Sequence, residues 1–215
     1  MRLVVTCGPS YEPIDEVRRI TNFSTGELGV LLTNRLAQAG FEVICFKGVG
    51  ATTQERVTDA RVVPFGTNEN LRTALTSLQH RGEVAAVFHA AALSDYRVRR
   101  VQSSDGHELA GLKIPSREGG LTLTLEPATK LIPELRPLFP NSRIVGWKYE
   151  LQGNRADSLL AAAHQLEESR TDACVINGAA YGSGFGFYQP GQSLLHLTDK
   201  ATLCEHLAEW VARFL

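Results

Sequence analysis

Residues 25–40 read TGELGVLLTNRLAQAG. Leu28, Leu31, Leu32, Leu36 and Ala39 recur at helical spacing and Gly40 supplies a stop, so the run predicts a helix. Before it, Arg2 to Thr6 (RLVVT) is a short β-branched run ended by CGPS; after it, Glu42 to Phe46 (EVICF) is another, ended by KGVG. Both predict buried strands. Strand, helix and strand form one βαβ unit.

The alternation continues through RVVPF (61–65), a helix over NENLRTALTSLQHR (68–81) and the strongly apolar VAAVFHAAAL (84–93), which predicts a central parallel strand. RIVGWKYE (143–150), a helix over ADSLLAAAHQLEES (156–169), the strand DACVIN (172–177) and a last helix from about Asp199 to Leu215 complete it. The predicted fold is α/β: a Rossmann-like, doubly wound, mostly parallel sheet with helices on both faces. Tyr96 to Thr129 breaks the pattern, being polar and glycine-rich around SSDGHELAGLK and then alternating in LTLTLE. It predicts an inserted arm or flap. With no repeat, low-complexity tract or linker, residues 1–215 read as a single domain.

The chain has 215 residues, 43% hydrophobic and 21% charged, enough for a substantial core. Its 22 Lys and Arg against 23 Asp and Glu give a net charge of −1, and no basic block could neutralise a row of phosphates. Nucleic acid is therefore not an expected partner. MRLVVTCGPS lacks the features of a signal peptide, and no apolar run approaches the roughly 20 residues that span a bilayer. The expected location is cytoplasmic, without a membrane contact. Cys7, Cys45, Cys174 and Cys204 are widely separated with no ligand spacing, and read as buried thiols.

Ligands of open α/β sheets bind beyond the carboxyl ends of the strands. Those ends carry Gly8, Pro9 and Ser10, Gly48 and Gly50, Ala90 to Asp95, Trp147 to Glu150 and Asn177 to Gly186. A dinucleotide fingerprint needs GxGxxG after the first strand and an acid ending the second. Here the first turn is CGPSYEPID, the second strand ends in Phe46-Lys47, and Tyr96 is followed at YxxxK spacing by Arg100. A nicotinamide enzyme is disfavoured.

Ser24 and Glu27 have the spacing of a capping box. The same helix start, flanked by Gly26 and Gly29, is also suited to an anion, although Glu27 would repel a phosphate. Spacing leaves both open. Asn22 reads either as a loop asparagine bonding its own backbone or as an amide facing a ligand. Lys148 and Glu150 end a strand where a parallel sheet is normally apolar, which points to function or to a surface ion pair.

The run VTCGPSYEPIDEVRRITNFSTGELG (5–29) resembles the opening of the phosphopantothenate-cysteine ligases, with its glycine turn, E-x-I-D-x-V-R and I-T-N-x-S-T-G. AALSDYR (91–97), LKIPS (112–116), the LTLTLEPATKLI region, IVGWKYE (144–150) and DACVIN (172–177) match further family motifs in order. The resemblance covers nearly the whole chain and is to the free-standing form. It implies a ligase of coenzyme A synthesis that activates 4'-phosphopantothenate with CTP or ATP and Mg2+ as an acyl nucleotide, which the amine of cysteine then attacks. It also implies a homodimer whose arm helps complete the neighbouring site.

By the same resemblance Asn22 holds the acyl intermediate, and Lys113 supports acyl-nucleotide formation from the arm. Arg18, Ala91 and Ala92 meet the substrate; for Arg18 the alternative is an ion pair with Asp15 or Glu16, and for the alanines plain packing. Gly8, Ser24, Thr25, Gly26, Asp95, Lys148 and Asn177 surround the nucleotide, with Asp95 also the candidate Mg2+ ligand. Three positions depart from many members: Glu27 stands where they carry Lys or Arg, Thr129-Lys130-Leu131 stands for P-D-I, and Asn177-Gly178-Ala179 for N-D-V. The departures motivate a second function: a catalytically degenerate member that binds nucleotide or phosphopantothenate as a sensor or partner subunit.

Overall fold

The computed structural model describes residues 1–109, 111, 113–115 and 119–214. Leu112 and Ser116 of the LKIPS motif, and Leu215, lie outside the described residues. Six parallel strands, set from one edge inward, make up most of an eight-stranded sheet: β1 (Arg2–Cys7), β4 (Glu42–Gly48), β5 (Arg61–Phe65), β6 (Val84–His89), β9 (Arg143–Tyr149) and β10 (Ala173–Asn177). Across the sheet they run β5-β4-β1-β6-β9-β10, so the winding direction reverses between β1 and β6. That reversal opens the crevice where doubly wound sheets take ligands.

Two antiparallel strands that the sequence did not reveal, β11 (Phe185–Tyr188) and β12 (Leu195–Leu197), finish the edge beside β10. A small hairpin, β2 (Tyr11–Pro13) with β3 (Arg19–Thr21), leaves the top of β1. The predicted arm is a ribbon of β7 (Tyr96–Ser103) and β8 (Leu121–Pro127), antiparallel to each other.

The strands are apolar on both sides because both faces are covered. Leu3, Val5, Phe88 and Val175 point to the face packed by α1 (Glu27–Gln38) and α5 (Lys200–Ala212), where Leu32, Leu36, Leu203 and Leu207 are fully buried. Val4, Ile44, Val87 and Ile144 point to the face covered by α2 (Asn68–Thr76) and α3 (Ile132–Leu138). On that side α4 (Arg155–Ser169) closes over Cys174 and Ile176.

Some predicted boundaries differ. The helix expected over 68–81 stops at Thr76, and a separate 3-10 turn covers Arg81–Glu83 after His80 in the left-handed region (φ 57°). β6 ends at His89 rather than Leu93: beyond it only Ala92 keeps a bridge, to Pro9, and the chain turns across the top of β1. All four cysteines are buried, as expected; burial pushes Cys174 and Cys204 up to about 12.

Candidate functional site

The turns leaving β1 and β6 are laced together at the crevice. Ala90 N donates to the Thr6 carbonyl and Ala92 N to the Gly8 carbonyl, both at 3.0 Å, and Ser10 N returns a bond to Ala92 O at 3.1 Å. Ser94 N donates to Ser10 Oγ at 2.8 Å, and Thr21 Oγ1 to Ser10 O at 2.7 Å. Beneath them, buried His89 meets Thr6 Oγ1 through Nδ1 at 2.8 Å; burial lowers its pKa to about 4 and keeps the ring neutral.

Asn22 completes this lacing. Its Nδ2 donates to Leu93 O at 2.9 Å, so the amide lies over the 91–95 turn, exposed to solvent. Asn22, Gly8, Ala91 and Ala92 thus come together. The two alanines offer a small surface rather than donors, because Ala91 N is taken by Thr6 Oγ1 and Ala92 N by Gly8 O.

The glycines are used for chain-on-chain contact. Gly8 (φ +77°) and Gly26 (φ +76°) need the left-handed region, and a Cβ on Gly26 would stand 3.0 Å from Ala51 Cβ and 3.2 Å from Gly8 Cα. One turn on, a Cβ on Gly29 would be 2.1 Å from Cys7 Cβ. Gly8, Gly26 and Gly29 therefore play the turn and helix-packing parts of a GxGxxG loop, with the β2–β3 hairpin inserted after the first glycine.

The capping box expected from Ser24 and Glu27 does not form. The N-cap is Gly26, which has no side chain to cap with, and only Thr25 Oγ1 reaches the first turn, accepting from Glu27 N at 3.3 Å. The N–H groups of Leu28 and Gly29 have no protein acceptor among the described residues. Glu27 turns sideways and pairs with Lys200 at the start of α5, a cation that the sequence pattern gave no reason to select.

The remaining predicted residues are spread along the same edge. Asp95 is exposed at the root of the ribbon, its carbonyl accepting from Ala128 N at 2.8 Å. Lys148 realises the ion-pair alternative, 3.4 Å from Glu150. Asn177 accepts through its carbonyl from Glu150 N at 2.9 Å, and Gly178 (φ +110°) passes so near that a Cβ would be 2.3 Å from Glu150 O. Arg18 also takes its ion-pair alternative, with Asp15, and gives a further bond to Ile114 O at 2.8 Å. Lys113 is exposed next to that bond.

No group of three or more His, Cys, Asp or Glu side chains among the described residues could enclose a metal. A lone exposed carboxylate such as Asp95 suits Mg2+ that arrives on a nucleotide's phosphates, since that ion commonly takes one or two protein carboxylates and keeps its remaining positions for phosphate and water. Two cavities, of about 370 Å³ beside Phe187 and Trp210 and about 470 Å³ beside Arg136 and Asp172, lie toward the amino ends of the central strands, away from this edge.

The model of the DNA/pantothenate metabolism flavoprotein C-terminal domain matches residues 1–213. The chain belongs to this family. The coenzyme A biosynthesis bifunctional protein CoaBC of Thermococcus kodakarensis is 32% identical over 185 residues, which are 85% of this chain and 42% of that protein. The chain thus spans under half the length of that relative. The DNA/pantothenate metabolism flavoprotein of Streptococcus pneumoniae superposes with a TM-score of 0.86 at 23% identity, covering all of both chains. A Cab2 H337A mutant in complex with phosphopantothenate-cysteine shares the fold at a TM-score of 0.73 and 15% identity, over 99% of this chain and 88% of that one.

Proposed function

We propose that this domain of the flavoprotein C-terminal family joins 4'-phosphopantothenate to cysteine at the β1/β6 crevice, through an acyl nucleotide formed from CTP or ATP. The observation that carries the proposal is Asn22 lying over the 91–95 turn, its Nδ2 bonded to Leu93 O. One Nδ2 proton remains for the acyl oxygen, and a neutral amide can donate to it without holding it as an ion pair would.

The substrate carboxylate attacks the α-phosphorus of the nucleotide and pyrophosphate leaves; the amine of cysteine then displaces the nucleotide, so no protein nucleophile is required. The open first turn of α1, with Ser24, Thr25 and Gly26 before it, supplies N–H groups and a favourable dipole for phosphate. Lys113 supports acyl-nucleotide formation from the arm. Arg18 offers a ligand the edge of its guanidinium that Asp15 and Ile114 leave, at Nη1. Asp95 would hold Mg2+, which offsets charge on the departing pyrophosphate. Lys148 and Asn177 border the nucleotide on the β9–β10 side. Exposed Tyr96, Leu121 and Leu125 on the ribbon suit a contact with a second copy of the chain.

Pyrophosphate release in the presence of 4'-phosphopantothenate, cysteine and either nucleotide tests the proposal. Turnover that requires all three components is expected. Calorimetric binding of a nucleotide without release would replace the ligase by the binding-only member of the family.

A further inference from the structure

The hairpin grips the main chain of the arm one residue after Lys113. Ile114 N donates to Asp15 Oδ2 at 3.1 Å, and Arg18 Nη2 donates to Ile114 O at 2.8 Å. Asp15 and Arg18 are bonded to each other, with Nε to Oδ2 at 3.0 Å. Together they present residue 114 with one acceptor and one donor, which is what a neighbouring strand would offer it.

The grip is prepared before the arm reaches it. Asp15 Oδ1 accepts from Val17 N at 3.0 Å and from Arg18 N at 2.7 Å, so the hairpin tip fixes the carboxylate's direction. Its side chain has no exposed surface, while that of Arg18 is 37% exposed. The Arg18 guanidinium, followed by the amides of Ile114, Val17 and Arg18, holds the carboxyl well below the usual 3.8, and it stays charged at neutral pH. Ile114 is itself 4% exposed, and Lys113 beside it is left outward.

We propose that Asp15 is a positioning residue: with Arg18 it latches the main chain at Ile114 and so presents Lys113 to the phosphates bound near Asn22. The four chain steps from Arg18, which holds Ile114, to Asn22 span at most about 13 Å, a distance that a lysine side chain and a phosphate chain can bridge together. The latch itself is independent of the ligase reading, but its consequence for turnover rests on it. A main chain held at residue 114 leaves Lys113 fewer conformations to lose when a nucleotide binds.

Asp15→Asn keeps an Oδ1 acceptor for the hairpin turn and removes the charge that binds Arg18 and Ile114. Arg18→Lys keeps a cation beside Asp15 but ends one atom short of Nη2, the nitrogen that meets the Ile114 carbonyl. Hydrogen exchange at the Ile114 amide is expected to quicken by about tenfold or more in either variant, with global unfolding unchanged. For Asp15→Asn, kcat for pyrophosphate release falls by about tenfold or more while KM for cysteine moves less than about twofold. Because Asp15 acts on kcat through Lys113, adding Asp15→Asn to Lys113→Gln lowers kcat no further, whatever freeing Arg18 does to KM for 4'-phosphopantothenate. Unchanged exchange at Ile114 in both variants, or additive losses in the double variant, would overturn the proposal. The exchange measurement needs no turnover, so an inactive wild-type protein would count against the ligase while exchange still decided the latch.

Discussion

The carboxylate of Glu27, in the first turn of α1, is paired with the ammonium of Lys200, in the first turn of α5. The acid is therefore neutralised by a cation 173 residues away, and both groups sit where two helices begin beside the candidate phosphate site. With side chains 36% and 41% exposed, the pair stabilises the fold by at most about 1 kcal/mol.

Glu27→Gln frees Lys200 without adding a charge. We predict that KM for the nucleotide falls several-fold and that the melting temperature hardly moves. Steady-state kinetics against nucleotide concentration check this; a raised KM would mean that Glu27 serves the nucleotide rather than opposing it.

Gly178 stands where the resemblance implies Asp in many family members, and the main chain here does not admit that side chain. Its φ is +110°, and a Cβ there would lie 2.3 Å from Glu150 O, which leaves no room for a side chain. Gly178→Asp is expected to destabilise the protein by about 1–3 kcal/mol in denaturant titrations. A neutral outcome would show that the 177–184 loop relaxes freely.

His89 gives the fold an acid sensitivity of its own. Burial lowers its pKa from 6.5 to about 4, so below pH 6.5 the unfolded chain takes up a proton that the folded chain refuses. Stability is complete above pH 6.5 and falls as the pH drops toward about 4, by up to about 3 kcal/mol from this residue. Denaturant titrations at stepped pH check it: His89→Gln should flatten that part of the profile, and an equal slope in the variant would assign the sensitivity elsewhere.

The parallel core was legible because β1, β4, β6 and β10 are apolar on both faces and α1 keeps a strict apolar stripe. β11, β12 and the β2–β3 hairpin were not, since strands of three or four residues are too short to show alternation. At the site, the family resemblance pointed to Asn22 and to Ala91 and Ala92, and the Asn22–Leu93 bond brings their turns together. Of the two alternatives for Ser24 and Glu27, the capping box fails because S-x-x-E spacing says nothing about which residue has helical dihedrals; Gly26, left-handed and tight against Gly8, starts the helix two residues later than Ser24 would. Lys200 and Ile114 were invisible because their importance comes only from contacts 173 and 99 residues distant.

Asn22 and Lys113 are the residues on which turnover should depend most. Asn22→Asp and Lys113→Gln are each expected to cut pyrophosphate release by about two or more orders of magnitude, with circular dichroism and melting unchanged. Wild-type rates in both would remove these side chains from the site.

The acyl nucleotide itself is tested by isotope exchange. Labelled pyrophosphate should pass into CTP or ATP when 4'-phosphopantothenate is present, with no need for cysteine, because the first half-reaction is reversible on the enzyme. Exchange with neither nucleotide, in protein that binds one of them, would contradict the account.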